Sequence, residues 1–104
     1  MQLYRAATVA GRYAACRRQF PTIVGSKKER KLLDYQTHIK VIGNNMANAL
    51  TSQIVSRQVE DILKQANEEF AEGSFKSLDI MHHLTAGLKA ESTNFCYNGI
   101  DEMR

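Results

Sequence analysis

The chain has 104 residues and 11.8 kDa, one domain's worth of sequence and too little for a barrel or a doubly wound sheet. At 43% hydrophobic and 24% charged it is a globular composition, and its single proline and lack of tryptophan favour helices over a disordered tail. The net charge of +3 conceals a division: residues 1–40 carry +7 and residues 41–104 carry −4.

In chain order, residues 2–20 read as a basic helix. Leu3, Ala6, Ala10, Tyr13 and Phe20 fall on one stripe of a 3.6-residue wheel, and Pro21 should stop the helix at Phe20. Residues 21–25 are a connector. Ser26-Lys27-Lys28-Glu29 has the form of a capping box, which predicts the start of a second helix. Its seam of Leu32, Tyr35, Ile39, Ile42, Met46 and Ala49 is spaced three and four apart, and Gly43, Asn44 and Asn45 weaken its middle.

A polar stretch around Thr51, Ser52 and Gln53 separates a third seam of Val55, Val59, Ile62, Ala66 and Phe70, which Gly73 should end. Phe75, Leu78 and Leu84 predict a continuation or a short fourth helix, and beyond Gly87 the periodicity fades into an extended tail. The expected fold is all-α, a three-helix bundle with a short fourth helix or extended C-terminal tail, divided into a helical bundle over residues 1–86 and a C-terminal tail over 87–104. No apolar run reaches the roughly 20 residues that span a bilayer.

The sequence offers little to catalysis. His82 and His83 are adjacent and point about 100 degrees apart on a helix, so they cannot share one metal ion, and no Cys-x-x-Cys or phosphate-binding glycine loop occurs. Cys16 lies beside Arg17 and Arg18, but no base accompanies it, and both cysteines read as reduced thiols. Neither a catalytic residue nor a metal ligand is assigned. Binding has more support, because Arg5, Arg12, Arg17, Arg18, Lys27, Lys28, Arg30 and Lys31 would form one positive surface if the first two helices pack antiparallel.

Leu3-Tyr4-Arg5 at the head of a basic helix, followed by Arg17-Arg18-Gln19-Phe20-Pro21, resembles the LYR-motif family of small mitochondrial proteins, and residues 59–66 resemble that family's third helix. The resemblance covers roughly residues 2–80. It implies a non-catalytic adaptor of the mitochondrial matrix, or the matrix side of the inner membrane, that binds mitochondrial acyl carrier protein and docks it on a larger assembly. The preferred assembly is respiratory complex I, with iron–sulfur cluster biogenesis or mitochondrial ribosome assembly as alternatives.

On this resemblance Leu3, Tyr4, Arg5, Arg12, Arg17, Arg18, Phe20, Lys27 and Lys40 would meet the carrier. Ala6, Ala10, Ile39, Ile42, Met46, Val59 and Ile62 would line a channel for the acyl chain. Acyl-phosphopantetheine would arrive on the carrier, with no cofactor bound directly. The family's Phe-Arg pair in the second helix is absent, Met46-Ala47-Asn48-Ala49 standing there, so Met46 would replace the Phe, and Lys40 with the Lys27–Lys31 cluster would replace the Arg. A basic helical RNA-binding ribosomal component is the reading from another class.

Overall fold

The computed structural model describes residues 2–104; Met1, the first residue of the expected bundle, lies outside the described residues. The all-α, three-helix reading holds, with different boundaries. Helix α1 runs Gln2–Cys16, α2 Gln36–Ala71 and α3 Leu78–Met103, and strands β1 (Arg18–Pro21) and β2 (Glu29–Lys31) form a hairpin between α1 and α2.

Helix α1 ends four residues before the expected stop. Phe20 takes a φ of 63°, outside any right-handed helix, and Pro21 offers no amide proton. The Arg17 carbonyl instead accepts from the Leu32 amide at 2.9 Å, and β1 pairs antiparallel with β2 through Arg18↔Lys31 and Pro21↔Glu29, with a register irregularity between them. The Ser26 hydroxyl accepts from the Lys28 amide at 3.1 Å, closing a local turn rather than capping a helix, and Glu29 enters β2. A 3-10 turn over Leu32–Asp34 leads to Tyr35, the extended N-cap of α2.

The expected second and third helices are one element of 36 residues. Gly43, Asn44 and the polar stretch at 51–53 do not break it, because tertiary burial outweighs propensity penalties of about 1 kcal/mol or less per residue. Its buried positions Ile42, Asn45, Ala49, Ser52, Val59 and Ala66 keep a seven-residue repeat, the spacing of a left-handed supercoil. Two of the six, Asn45 and Ser52, are polar, and each is satisfied. Asn45 Nδ2 donates to the Val41 carbonyl at 2.9 Å and to Glu102 Oε2 at 3.2 Å, while the Ser52 hydroxyl donates to the Asn48 carbonyl at 2.8 Å.

Gly73 ends α2 as the spacing predicts. The Ser74 amide donates to Glu69 O at 2.9 Å and the Gly73 amide to Phe70 O at 3.1 Å, the paired bonds of a Schellman motif, with Gly73 at φ 79°. Gly73→Ala is expected to cost about 1 kcal/mol, measured by urea unfolding, because a Cβ disfavours this left-handed conformation. Residues 87–104, expected as an extended tail, are the second half of α3.

The helices pack pairwise, and α3 runs antiparallel to α2: Glu69 meets Ser77 near the turn, and Asn45 meets Glu102 at the other end. Helix α1 lies on the first half of α2 and the last turns of α3. There Gly11 faces Ile42, and Gly99 faces both Leu3 and Asn45.

The buried apolar set is Leu3, Ala7, Ala14, Ile42, Ala49, Val59 and Ala66, in which alanines let the backbones approach and Leu3 is the one large, fully buried side chain. The result is a rod of 75 × 17 × 15 Å. Its radius of gyration of 20.2 Å exceeds the roughly 13 Å of a compact domain this long. Among the described residues seventeen large hydrophobic side chains are exposed, more than the buried set contains.

Candidate functional site

The expected carrier-binding residues do not form one face. Leu3 is 1% exposed and belongs to the core, so it cannot be offered to a partner. Tyr4, Arg5 and Arg12 are exposed on α1, and Lys40 is exposed on α2. Arg17, Arg18, Phe20 and Lys27 are exposed in or beside the hairpin, where Arg18 Nη1 donates to the Glu29 carbonyl at 2.9 Å. Strand pairing therefore gathers the two basic clusters that flank the connector, a task the sequence reading gave to helix packing.

The expected acyl channel is likewise dispersed. Ile42 and Val59 are buried but stand 17 residues apart on α2, about 25 Å along its axis. Ala6, Ala10 and Ile62 are half-buried, whereas Ile39 and Met46 are half exposed on a different face of α2, together with Leu50 and Ile54. The seam read through Ile39 and Met46 is thus a second, unpartnered apolar stripe. The intramolecular seam runs through Asn45 and Ser52, which a search for apolar periodicity passes over.

The structure offers instead a groove of about 540 Å³ between α2 and α3, with Val55, Val59, Leu84, Leu88 and Phe95 as its apolar walls. Antiparallel packing positions it, since the small residues Ser52 and Gly87 leave space where larger neighbours would fill it. Its titratable groups are His83 and Glu91, eight residues apart on α3 and about 12 Å along the axis, too far to act as an acid–base pair through a shared hydrogen bond. The sequence reading assigned neither residue a binding role. Only the pairing of α2 with α3 defines the groove, and residues 88–95 fall in the expected tail.

Among the described residues one ion pair forms, Lys64 with Asp61 at 2.9 Å on the exposed side of α2. The hydrogen bond to Asp61, and then its charge, hold the Lys64 ammonium above its usual pKa. Cys16 is exposed and Cys96 half-buried, and both are free thiols. Among the described residues no helix is long and apolar enough to cross a membrane, and no cluster of side chains is composed to hold a metal ion.

The structure is a slender helical rod with an apolar inter-helix groove and a second exposed apolar stripe. Comparison with known families makes this specific: residues 1–104 match the family described as acyl-CoA oxidase, C-alpha1 domain, and the chain belongs to that family. Peroxisomal acyl-coenzyme A oxidase 1 of Rattus norvegicus is 37% identical over 102 residues, covering 98% of this chain and 15% of the relative. The proteins of the same name from Homo sapiens and Arabidopsis thaliana are each 33% identical over 102 residues, with the same coverage. The chain thus spans about one-seventh of the length of these relatives. No solved structure gives a significant match.

These findings overturn the LYR assignment and what hung on it. The family is that of an oxidase domain, which replaces the expected non-catalytic adaptor, its docking on respiratory complex I, and the alternatives in iron–sulfur and ribosome assembly. The relatives are named for acyl-coenzyme A, which removes the support for acyl carrier protein as partner and for its acyl-phosphopantetheine. They are named peroxisomal, which contradicts a mitochondrial location. Leu3-Tyr4-Arg5 misled because three residues can serve any helix: here Leu3 is core, while Tyr4 and Arg5 are surface.

Proposed function

We propose that the chain serves as the helical C-alpha1 module of a peroxisomal acyl-coenzyme A oxidase, contributing packing surface to an enzyme that oxidises acyl-coenzyme A. The match of all 104 residues to that domain family carries the reading. The exposed apolar stripe of Ile39, Met46, Leu50 and Ile54 supports it, since each of these side chains is at least half exposed and gains on burial against the remaining parts of such an enzyme. The α2–α3 groove supplies a second apolar surface of the same kind.

A domain exchange tests the proposal. The 102 aligned residues of the rat oxidase are replaced by those of this chain, and the chimaera is purified and assayed for oxygen uptake dependent on acyl-coenzyme A. A folded chimaera that keeps measurable uptake is the expected result. A chimaera that melts cooperatively near the parent temperature and shows no uptake with any acyl-coenzyme A overturns the assignment. Substitution of Leu50 and Ile54 by Asp within that chimaera is expected to lower its melting temperature, because both face outward in the isolated chain yet would be covered in the enzyme.

A further inference from the structure

The close approach of the three helices at Gly99 places a chemically labile pair inside α3. Of Asn44, Asn45, Asn48, Asn67, Asn94 and Asn98, only Asn98 precedes a glycine. An asparagine side chain is a weak point at neutral pH, because the backbone nitrogen of the next residue can attack its carbonyl carbon. Glycine in that next position has no Cβ to hinder the attack and turns toward it freely. The fold nevertheless requires glycine there, since a Cβ at 99 would run into Asn45 and Leu3. Packing and chemical durability pull in opposite directions at this one dipeptide.

The folded chain restrains the pair. Both residues lie within Leu78–Met103, where helical ψ keeps the Gly99 nitrogen away from the Asn98 side chain and its N–H is committed to a carbonyl one turn back. Asn98 Nδ2 also donates to Asn94 Oδ1 at 2.8 Å, which draws the amide toward the preceding turn. Gly99 is buried against Leu3 and Asn45, and Asn45 Nδ2 donates to Glu102 Oε2 just beyond it. Attack therefore waits on an opening of the last turns of α3, and the contacts of the three-helix junction resist that opening. Nucleophile and electrophile are adjacent in the chain, so the reaction needs water and an opening but no partner and no free face.

We propose that Asn98-Gly99 is a spontaneous modification site, at which deamidation is gated by local opening of the last turns of α3. In the opened segment the Gly99 nitrogen loses its proton and bonds to Asn98 Cγ, and Nδ2 leaves as ammonia, closing a five-membered succinimide. Water then adds to one of the two ring carbonyls and breaks its bond to nitrogen, giving aspartate or its β-linked isomer. In sum one amide and one water become one carboxylate and one ammonium ion, with no change of oxidation state. The β-linked product carries an additional backbone carbon ahead of Gly99, which displaces the following turn from its place against Leu3 and Asn45. An opening that recloses in the parent chain is thereby made irreversible.

The test is incubation of the full chain at neutral pH, in buffer and in unfolding urea, followed by peptide mapping and mass spectrometry. The mass reads the exchange of amide for carboxylate, and the β-linked isomer elutes separately. Asn98 is expected to react before any other asparagine, and at least about a hundredfold more slowly in buffer than in unfolding urea, as a gating equilibrium of the folded state requires. Leu3→Ala should raise the rate in buffer by at least about tenfold. Gly73→Ala, at the opposite end of the α2–α3 pair, should raise it less. In the parent chain the rate should climb with urea below the unfolding midpoint less steeply than global unfolding does, a reading that stands even where Leu3→Ala fails to fold. Asn98→Gln should delete the early product. Equal rates in buffer and in unfolding urea, another asparagine reacting first, a rate that follows the global slope, or a folded Leu3→Ala chain that reacts no faster than the parent overturns the proposal.

Discussion

Gly99→Ala is expected to destabilise the chain by about 1–3 kcal/mol, against the general rule that glycine to alanine within a helix gains about 1 kcal/mol. Gly99 sits near the end of α3 where all three helices meet. A Cβ there would overlap Asn45 Oδ1 and come within 2.8 Å of Leu3 Cδ1. Neither neighbour can step aside cheaply. Asn45 is 2% exposed, and its amide is tied to the Val41 carbonyl and the Glu102 carboxylate, so turning it breaks bonds inside the core. Urea unfolding followed by helical circular dichroism measures the change. For a domain this size the expected loss corresponds to a fall of roughly 5–15 °C in Tm, and a Tm that rises would mean the junction is looser than its geometry shows.

Little of this junction was legible in the sequence, for a physical reason. Period and composition announce a helix through its apolar face, and α2 has two such stripes. The more apolar one, through Ile39 and Met46, faces outward, whereas the helices pair through Asn45, Ala49 and Ser52. Small and polar residues win that position because they allow close approach and can satisfy their own hydrogen bonds, whereas the bulkier side chains are left for a surface outside this chain. The same lesson covers α3: its last turns look aperiodic because a single glycine and a half-buried methionine suffice where the neighbouring backbone lies close.

The hairpin was hidden differently. Its strands are four and three residues long with every position exposed, so no alternation marks them. Ser26-Lys27-Lys28-Glu29 satisfies the capping-box pattern, but the pattern requires a helical backbone that Pro21, Gly25 and the pairing of Arg18 with Lys31 do not provide. What could be read was the all-α class, the Gly73 stop, and the gathering of charge near residues 17–31. The α2–α3 groove could not, since its walls come from two segments some 30 residues apart, one of them assigned to a tail.

The largest single loss is expected for Leu3→Ala, about 2–5 kcal/mol of a total that for a chain of this length lies near 5–15 kcal/mol. Among the described residues Leu3 is the only large side chain less than 2% exposed, and it stands in the first turn of α1, against Gly99 of α3. Truncation opens a cavity where α1 meets the last turns of α3. Hydrogen exchange should therefore accelerate first in α1, ahead of the α2–α3 pair, which keeps Val59 and Ala66 buried along its own seam. The double variant Leu3→Ala with Gly99→Ala separates packing from mere proximity. Removing Leu3 Cδ1 vacates space that the new Cβ needs, so the two losses should sum to less than additive, with a coupling of roughly 1 kcal/mol. The Asn45 overlap persists in the double variant, which is why relief should be partial. Strict additivity would show that Leu3 and Gly99 do not share that space, and the close meeting of three helices that gives this narrow rod its core would then have to lie elsewhere.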